Sequence, residues 1–296
     1  MSGHDLITIG NARLVAGISA KGAELHSLVP TWGQEMLWQA DPAVWGWHAP
    51  NLFPIVGALS DNRLLHRGHA YGLASHGFLR HSQTEVERQS ADEAVFRLTD
   101  SPETRRQYPF AFHLSIGFRI IDDRLQQWFS VANPGDEDLL VSLGAHPAFR
   151  WPLAGGLRRE DHRIIFSRPQ PQGILRPHAD GLDMQRLATP VDDSTLVPDD
   201  RLFEPGALVW DRIEGGHAAF GVPGAAGVEM EFADFPHFGV WTKPGAGFLC
   251  LEPWQGHMSP KGFAGELADK PGIVAIAPGA VRRWTLSIRP VQVLSA

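Results

Sequence analysis

The sequence predicts an all-β fold, and three observations carry the prediction. Apolar residues recur with a period of two over many short stretches, and Gly and Pro, 31 and 23 of the 296 residues, punctuate those stretches. A sustained 3.6-residue apolar period is almost absent. Many short strands closed by Gly/Pro turns build a sandwich or barrel. Such folds reach this length as one domain, so residues 1–296 are read as a single domain.

The elements follow in chain order. Leu6 to Ile9 and Arg13 to Ile18 are β-like runs around Gly10-Asn11, a pair that permits the positive φ angles of a tight hairpin turn. Ala23 to Val29 follows at once. Trp32, Trp38, Trp45 and Trp47 then crowd one segment; indoles stack on sugar faces, but each one alone fits core or edge packing better. Asn51 to Arg80 has little periodicity and reads as a long irregular connection, a kind of segment that is often functional. Glu85 to Leu98 suits a hairpin. Ser101-Pro102-Glu103-Thr104 has the capping serine, early proline and early acid of a short helix start.

Phe110 to Ile120 has the cleanest alternation, with Phe110, Phe112, Leu114, Ile116, Phe118 and Ile120 on one face. Asp122-Asp123 turns it into Leu125 to Val131, and Asn133-Pro134-Gly135-Asp136 leads on to Leu139–Arg150, so that the three are expected to form a meander. Arg163 to Phe166 is a short strand, whereas Gln170 to Arg201 is polar and expected to be mostly loop. Ala207 to Trp210, Ala218 to Val222, Val228 to Phe232, Phe238 to Thr242, Phe248 to Glu252, Ile273 to Ala277 and Arg283 to Ile288 complete the strands.

Composition bounds the partners. A net charge of −7 without a dense Lys/Arg tract argues against nucleic acid or an anionic membrane surface, and favours a small neutral or weakly charged ligand. Cys250 is the only cysteine, which excludes an intramolecular disulfide and a cysteine-based zinc cluster. The N-terminus has no basic stretch followed by an apolar run, and no segment is apolar over the ~18 residues of a membrane span; a cytoplasmic protein is expected.

Two strand ends draw attention as chemistry. In LLVSLGAHPAFR, alternation sends Leu139, Val141, Leu143 and Ala145 one way, and Leu140, Ser142, Gly144 and His146 the other. Pro147 removes a donor and biases His146 toward an extended backbone, so the histidine is expected where a strand stops. In FLCLEPWQG, Pro253 follows Glu252 in the same manner. A carboxylate and an imidazole suit paired proton transfer, because their unperturbed pKa values lie below and near neutrality. Spacing alone leaves both as ordinary strand-edge residues. His66, His69, His76 and His81 lack the spacing of a cupin or an HExxH site, and scattered surface histidines are the better reading.

The segments GAELHSL, PNLFPIVG (Pro50 to Gly57), HGFLR (His76 to Arg80), SPETRRQYPFAFHLSIGF, GAHPAF, LEPWQG and KPGIVAIAPG occur here in one order along the chain. In this they resemble the aldose 1-epimerase, or galactose mutarotase-like, family. The resemblance implies a large β-supersandwich with few short helical turns, whose concave sheet holds a sugar. It implies that Glu252 takes the proton of the anomeric hydroxyl while His146 protonates the ring oxygen. His76 and Arg80 would bind the sugar, and no metal or organic cofactor is required.

Two departures put sugar identity in question. Ala58 stands where the family often has arginine after PIVG, with Arg63 as a substitute, and an aspartate of some members is replaced by Pro205-Gly206, with Asp211 nearby. Trp241 and Trp254 are aromatic sugar contacts or core residues. The expected substrate is a free hexose, handled by a monomer or homodimer. The alternatives are a hexose 6-phosphate, held by Arg63, Arg67 and Arg80, and a sugar-binding or regulatory module without turnover.

Overall fold

The computed structural model describes residues 6–295. Residues 1–5, the start of the stretch read above for a leader, and residue 296 lie outside the described residues. Two large antiparallel sheets dominate. The first has nine strands in the spatial order Thr195–Leu196, Arg163–Phe166, His217–Gly221, Gly227–Glu231, Val281–Val291, Arg124–Ala132, His113–Ile121, Glu93–Thr99 and Glu85–Gln89. The second runs Gly181–Leu187, Ile174–His178, Leu208–Trp210, His237–Trp241, Phe248–Gln255, Leu143–Ala145 and Asn51–Leu52, with Ala148–Arg150 also paired to Phe248–Gln255. A smaller antiparallel sheet joins Ile7–Gly10, Leu14–Ser19 and Glu24–Pro30. Helix among the described residues is confined to short 3₁₀ turns and the four-residue Pro102–Arg105, whose Ser101 side chain accepts from the Thr104 amide as its cap. This is the all-β supersandwich that the sequence led us to expect.

Period-two alternation sorts the side chains between the sheets and the opposite face. Leu114, Ile116, Phe118 and Ile120 from the first sheet meet Leu143, Ala145, Leu208, Trp210, Phe238, Val240, Leu249 and Leu251 from the second in one buried cluster. Each such side chain contributes roughly 1.5–3 kcal/mol on leaving water, so a one-residue slip in any of these strands would be costly. The residues between them, Gly144, His146, Val209, His237, Gly239, Trp241, Glu252 and Trp254, are left for the other face of the second sheet. A buried amide pair ties in the small sheet: Gln127 Nε2 donates to Asn51 Oδ1 at 2.7 Å, and Asn51 Nδ2 donates to the carbonyls of Gly22 and Ala23.

Several expectations are corrected. The turn at Gly10-Asn11 does not use positive φ; instead the Asn11 side chain accepts from the amides of Arg13 and Leu14, so that a longer loop closes the hairpin. The meander ends after two strands. Arg124–Ala132 pairs on its far side with Val281–Val291, while the 139–150 stretch divides into Leu139–Val141, which forms a separate two-stranded sheet with Val274–Ile276, and Leu143–Ala145 and Ala148–Arg150, which join the second sheet. Arg63–His66 and His69–Gly72 form a hairpin within the segment read as irregular, turning on Arg67 and Gly68 at φ 50° and 75°. Ile174–His178 and Gly181–Leu187 form another where loop was expected.

Candidate active site

Glu252 is not at a strand end. Phe248–Gln255 continues through Pro253, which is paired in register with Phe238. The neighbouring chain explains how proline is tolerated there. On its other side this strand pairs with Leu143–Ala145 and with Ala148–Arg150, and the ladder is interrupted between them at His146-Pro147. The Leu251 amide donates to the Pro147 carbonyl, and the next nitrogen pointing the same way, that of Pro253, meets the interruption. The break that frees His146 from the ladder is thus the break that accommodates Pro253, and it brings His146 and Glu252 together. His146 Nε2 lies 3.0 Å from Glu252 Oε2, with the two residues only 8% and 2% exposed. His146 Nδ1 is buried without a hydrogen-bond partner.

The pair opens into a cavity of about 330 Å³ on the face of the second sheet. This falls in the range of small-ligand sites, ≈ 300–1,000 Å³. Trp45 and Trp241 wall it on one side, their ring centroids 5.2 and 6.0 Å from the His146 ring. Trp254 lines it too. Its indole lies over Gly144 and Gly239, where an added Cβ would come within 2.5 and 2.4 Å of the ring, so the two glycines are what admit it.

His76 and Arg80 face the same cavity. The Gly57 amide donates to His76 Nδ1 at 3.2 Å, which leaves Nε2 to carry the proton of the neutral ring. Burial, then the neighbouring His146 and Arg80, hold His76 well below the usual histidine range. The ring is therefore an uncharged donor at neutral pH. Arg80 donates to the Ser75 carbonyl at 3.1 Å, stacks its guanidinium over Trp47 at 5.3 Å, and has no carboxylate partner among the described residues. Its Nε is buried and unpartnered. These are the features of a cation available to a ligand.

Arg63 is not brought to this cavity. It is exposed on the 63–72 hairpin and borders a separate hollow with Asp61 and Lys270. Ala58 lines the main cavity with no arginine in its stead. Arg67 is turned to Glu137 at 2.9 Å, and Asp211 is held by Arg186 at 2.6 Å. Sequence reasoning missed Trp45, Ser75, His257 and Met258 in the lining. The sole signal for Trp45 was the local density of tryptophan; His257-Met258 directly follows the LEPWQG segment.

Among the described residues, two side-chain groups have the donors to hold a metal. His146, Cys250 and Glu252 form one, with ligand atoms within 4.8 Å of one another. There burial, and then Glu252, push the Cys250 thiol well up, against formation of the thiolate a soft metal would require. Glu24, His26 and His48 form the other.

A β-supersandwich with an imidazole and a carboxylate in contact at the floor of a sugar-sized cavity defines a class, the galactose mutarotase-like proteins. Residues 5–287 match the aldose 1-epimerase family model, and the chain belongs to that family. It is 29% identical over 283 residues to the plasmid-borne protein LacX of Lactococcus lactis subsp. lactis, covering 92% of this chain and 95% of the relative. A galactose mutarotase related enzyme from Lactobacillus acidophilus is 31% identical with a TM-score of 0.89, over 96% of this chain and 97% of that one. A galactose mutarotase-like protein from Lactobacillus casei is 25% identical with a TM-score of 0.88, over 97% and 100%. Among the described residues no helix is long and apolar enough to cross a membrane.

Proposed function

We propose that the protein is an aldose 1-epimerase that interconverts the α and β anomers of a free hexose by general acid/base ring opening and closure. The observation that carries this reading is the 3.0 Å contact between His146 Nε2 and Glu252 Oε2 in the cavity. The anomeric hydroxyl and the ring oxygen are bonded to one carbon, so the base that serves the first and the acid that serves the second must be neighbours. Entry of the sugar replaces the direct His–Glu contact with one that runs through its two oxygens.

Glu252 takes the hydroxyl proton, the electron pair forms the C1 carbonyl, the C1–O5 bond breaks, and His146 delivers a proton to O5. Rotation about C1–C2 presents the other carbonyl face, and the reverse transfers close the ring. Both chemical steps are proton transfers, and the protein side is restored after each cycle. His76 donates from Nε2 to a sugar oxygen, Arg80 donates from its guanidinium, and Trp241 covers an apolar C–H face of the ring. Free hexose is preferred to its 6-phosphate because, of Arg63, Arg67 and Arg80, only Arg80 faces the cavity.

NMR magnetisation exchange between anomers tests the reading on glucose, galactose and their 6-phosphates. Wild type should accelerate exchange of a free hexose. Glu252→Gln and His146→Asn should each reduce kcat by about 10²–10⁴-fold, the usual worth of a positioned acid or base. Binding without exchange across the panel would leave a sugar-binding module instead, and full activity in either variant would remove the assigned roles.

A further inference from the structure

We propose that Glu24, His26 and His48 form a site for a single divalent transition-metal ion of the zinc class, separate from the Glu252–His146 pair. His26 Nε2 stands 3.2 Å from Glu24 Oε2, and His48 Nδ1 stands 4.0 Å from Glu24 Oε1. One ligand atom from each of the three residues lies within 4.8 Å of the other two. Tetrahedral zinc with ligands at 2.0–2.2 Å separates its donors by roughly 3.3 Å, so the donors are spaced to close on an ion once the two rings turn. Two imidazoles and one carboxylate are donors suited to Zn²⁺, Co²⁺ or Ni²⁺ rather than to Ca²⁺ or Mg²⁺.

The carboxylate is oriented in advance. Glu24 is buried, and its Oε1 accepts from the amides of His48 and Ala49 at 2.7 and 3.0 Å, which turns Oε2 toward His26. The same bonds hold the backbone of His48 against Glu24. The imidazoles are stacked at 4.0 Å, 17° from parallel, and both reach solvent, with 23% and 17% of their side chains exposed. An ion arriving from that side would find the carboxylate at the back and open positions for water in front. Coordination requires the rings to turn out of their stack so that each lone pair aims at the ion. A site of three protein ligands with an open front binds less tightly than a closed four-ligand one.

The site would couple two parts of the molecule. Glu24 and His26 belong to the Glu24–Pro30 strand of the small sheet. His48 ends the segment that carries Trp45, which stacks on His146, and Trp47, which supports Arg80. Its carbonyl accepts from the Ala148 amide, two residues from His146. An ion joining His48 to His26 therefore clasps the tryptophan segment over the cavity, without contact with the reacting pair.

Isothermal titration of the full chain with Zn²⁺, alongside visible absorption with Co²⁺, tests the assignment. The expected result is one equivalent per chain and a Co²⁺ spectrum of low coordination number. His26→Ala and His48→Ala should each weaken binding by 10-fold or more, and Glu24→Gln, which keeps an acceptor for the two amides, should do the same. Cys250→Ser and Glu252→Gln should leave it unchanged. Absence of stoichiometric binding would overturn the proposal, as would binding indifferent to His26 and His48. Loss in Cys250→Ser or Glu252→Gln would assign the ion to the cavity instead. Folding of each variant is checked by its thermal transition, and the conservative His48→Asn, which restores packing but not affinity, separates ligation from structure.

Discussion

At the scale of single residues, the cavity owes its properties to how neighbours fix protonation. His76 shows this most clearly, because the Gly57 amide occupies Nδ1 and burial suppresses the cationic form. A neutral donor that does not titrate in the working range should contribute a constant factor to turnover. We expect His76→Ala to lower kcat/KM by about 10- to 30-fold, the equivalent of losing ~1.4–2 kcal/mol of hydrogen bonding. The same factor should hold at every pH from 6.5 to 9. Parallel pH–rate profiles of wild type and variant check this, and a ratio that swings through neutrality would mean that His76 gains and loses its proton there. The sequence reading singled out His76 and Arg80 through HGFLR but could not distinguish Arg80 from Arg63 and Arg67. Which arginine meets the cavity depends on the hairpin at 63–72, whose strands are short and whose turn is Arg67-Gly68, a pair less telling than Asn-Gly.

At the scale of elements, strand alternation and the local hairpin partners, 113–121 with 124–132 and 85–89 with 93–99, were legible, and the long-range partners were not. The reading that sent Gly144 and His146 to one face and Leu143 and Ala145 to the other holds from residue 143 onward, since local periodicity decides it. The division of 139–150 into three strands, and the continuation of Phe248–Gln255 past Pro253, depend on one another across the sheet and leave no local trace. The glycines opposite Trp254 are a further cross-strand feature. In Gly239→Ala the new Cβ would meet Trp254 Cη2 at 2.4 Å and Cζ2 at 2.6 Å, and the other close atom belongs to the same ring. Overpacking of this kind costs about 1–3 kcal/mol. We therefore expect Gly239→Ala to reduce unfolding free energy by that amount in urea titration, and to cost much less in a Trp254→Ala background. Equal costs in the two backgrounds would show that the glycine has some other role.

At the scale of the whole molecule, buried bases make stability depend on pH in a direction that can be worked out. His48, His237 and His257 are each lowered to about 4, in every case chiefly by burial. His257 also donates from Nδ1 to the Met258 carbonyl, and His237 accepts from the Gly256 amide, so neither ring can add a proton without losing a bond or charging a dry site. In the unfolded chain these groups titrate near 6.5. The unfolded state therefore binds more protons between pH 6.5 and 4, and the stability present above 6.5 is lost as pH falls through that window. The loss is on the order of several kcal/mol in total. Lys270 extends the trend upward. Burial lowers its ammonium from 10.5 to about 7, while it donates to the carbonyls of His257 and Pro271. Its contribution is complete only above pH 10.5 and declines as pH falls toward 7. Urea unfolding at a series of pH values should thus show stability rising from pH 4 to 6.5 and again from 7 to 9.0, above which the buried Cys250 thiol and then the buried Tyr108 phenol, both pushed up by burial, act in the opposite direction. Lys270→Met should flatten the upper rise and leave the lower one intact. A stability profile level between pH 6.5 and 4 would contradict the neutral burial of the three histidines, and an unchanged upper rise in Lys270→Met would place the alkaline titration on another group.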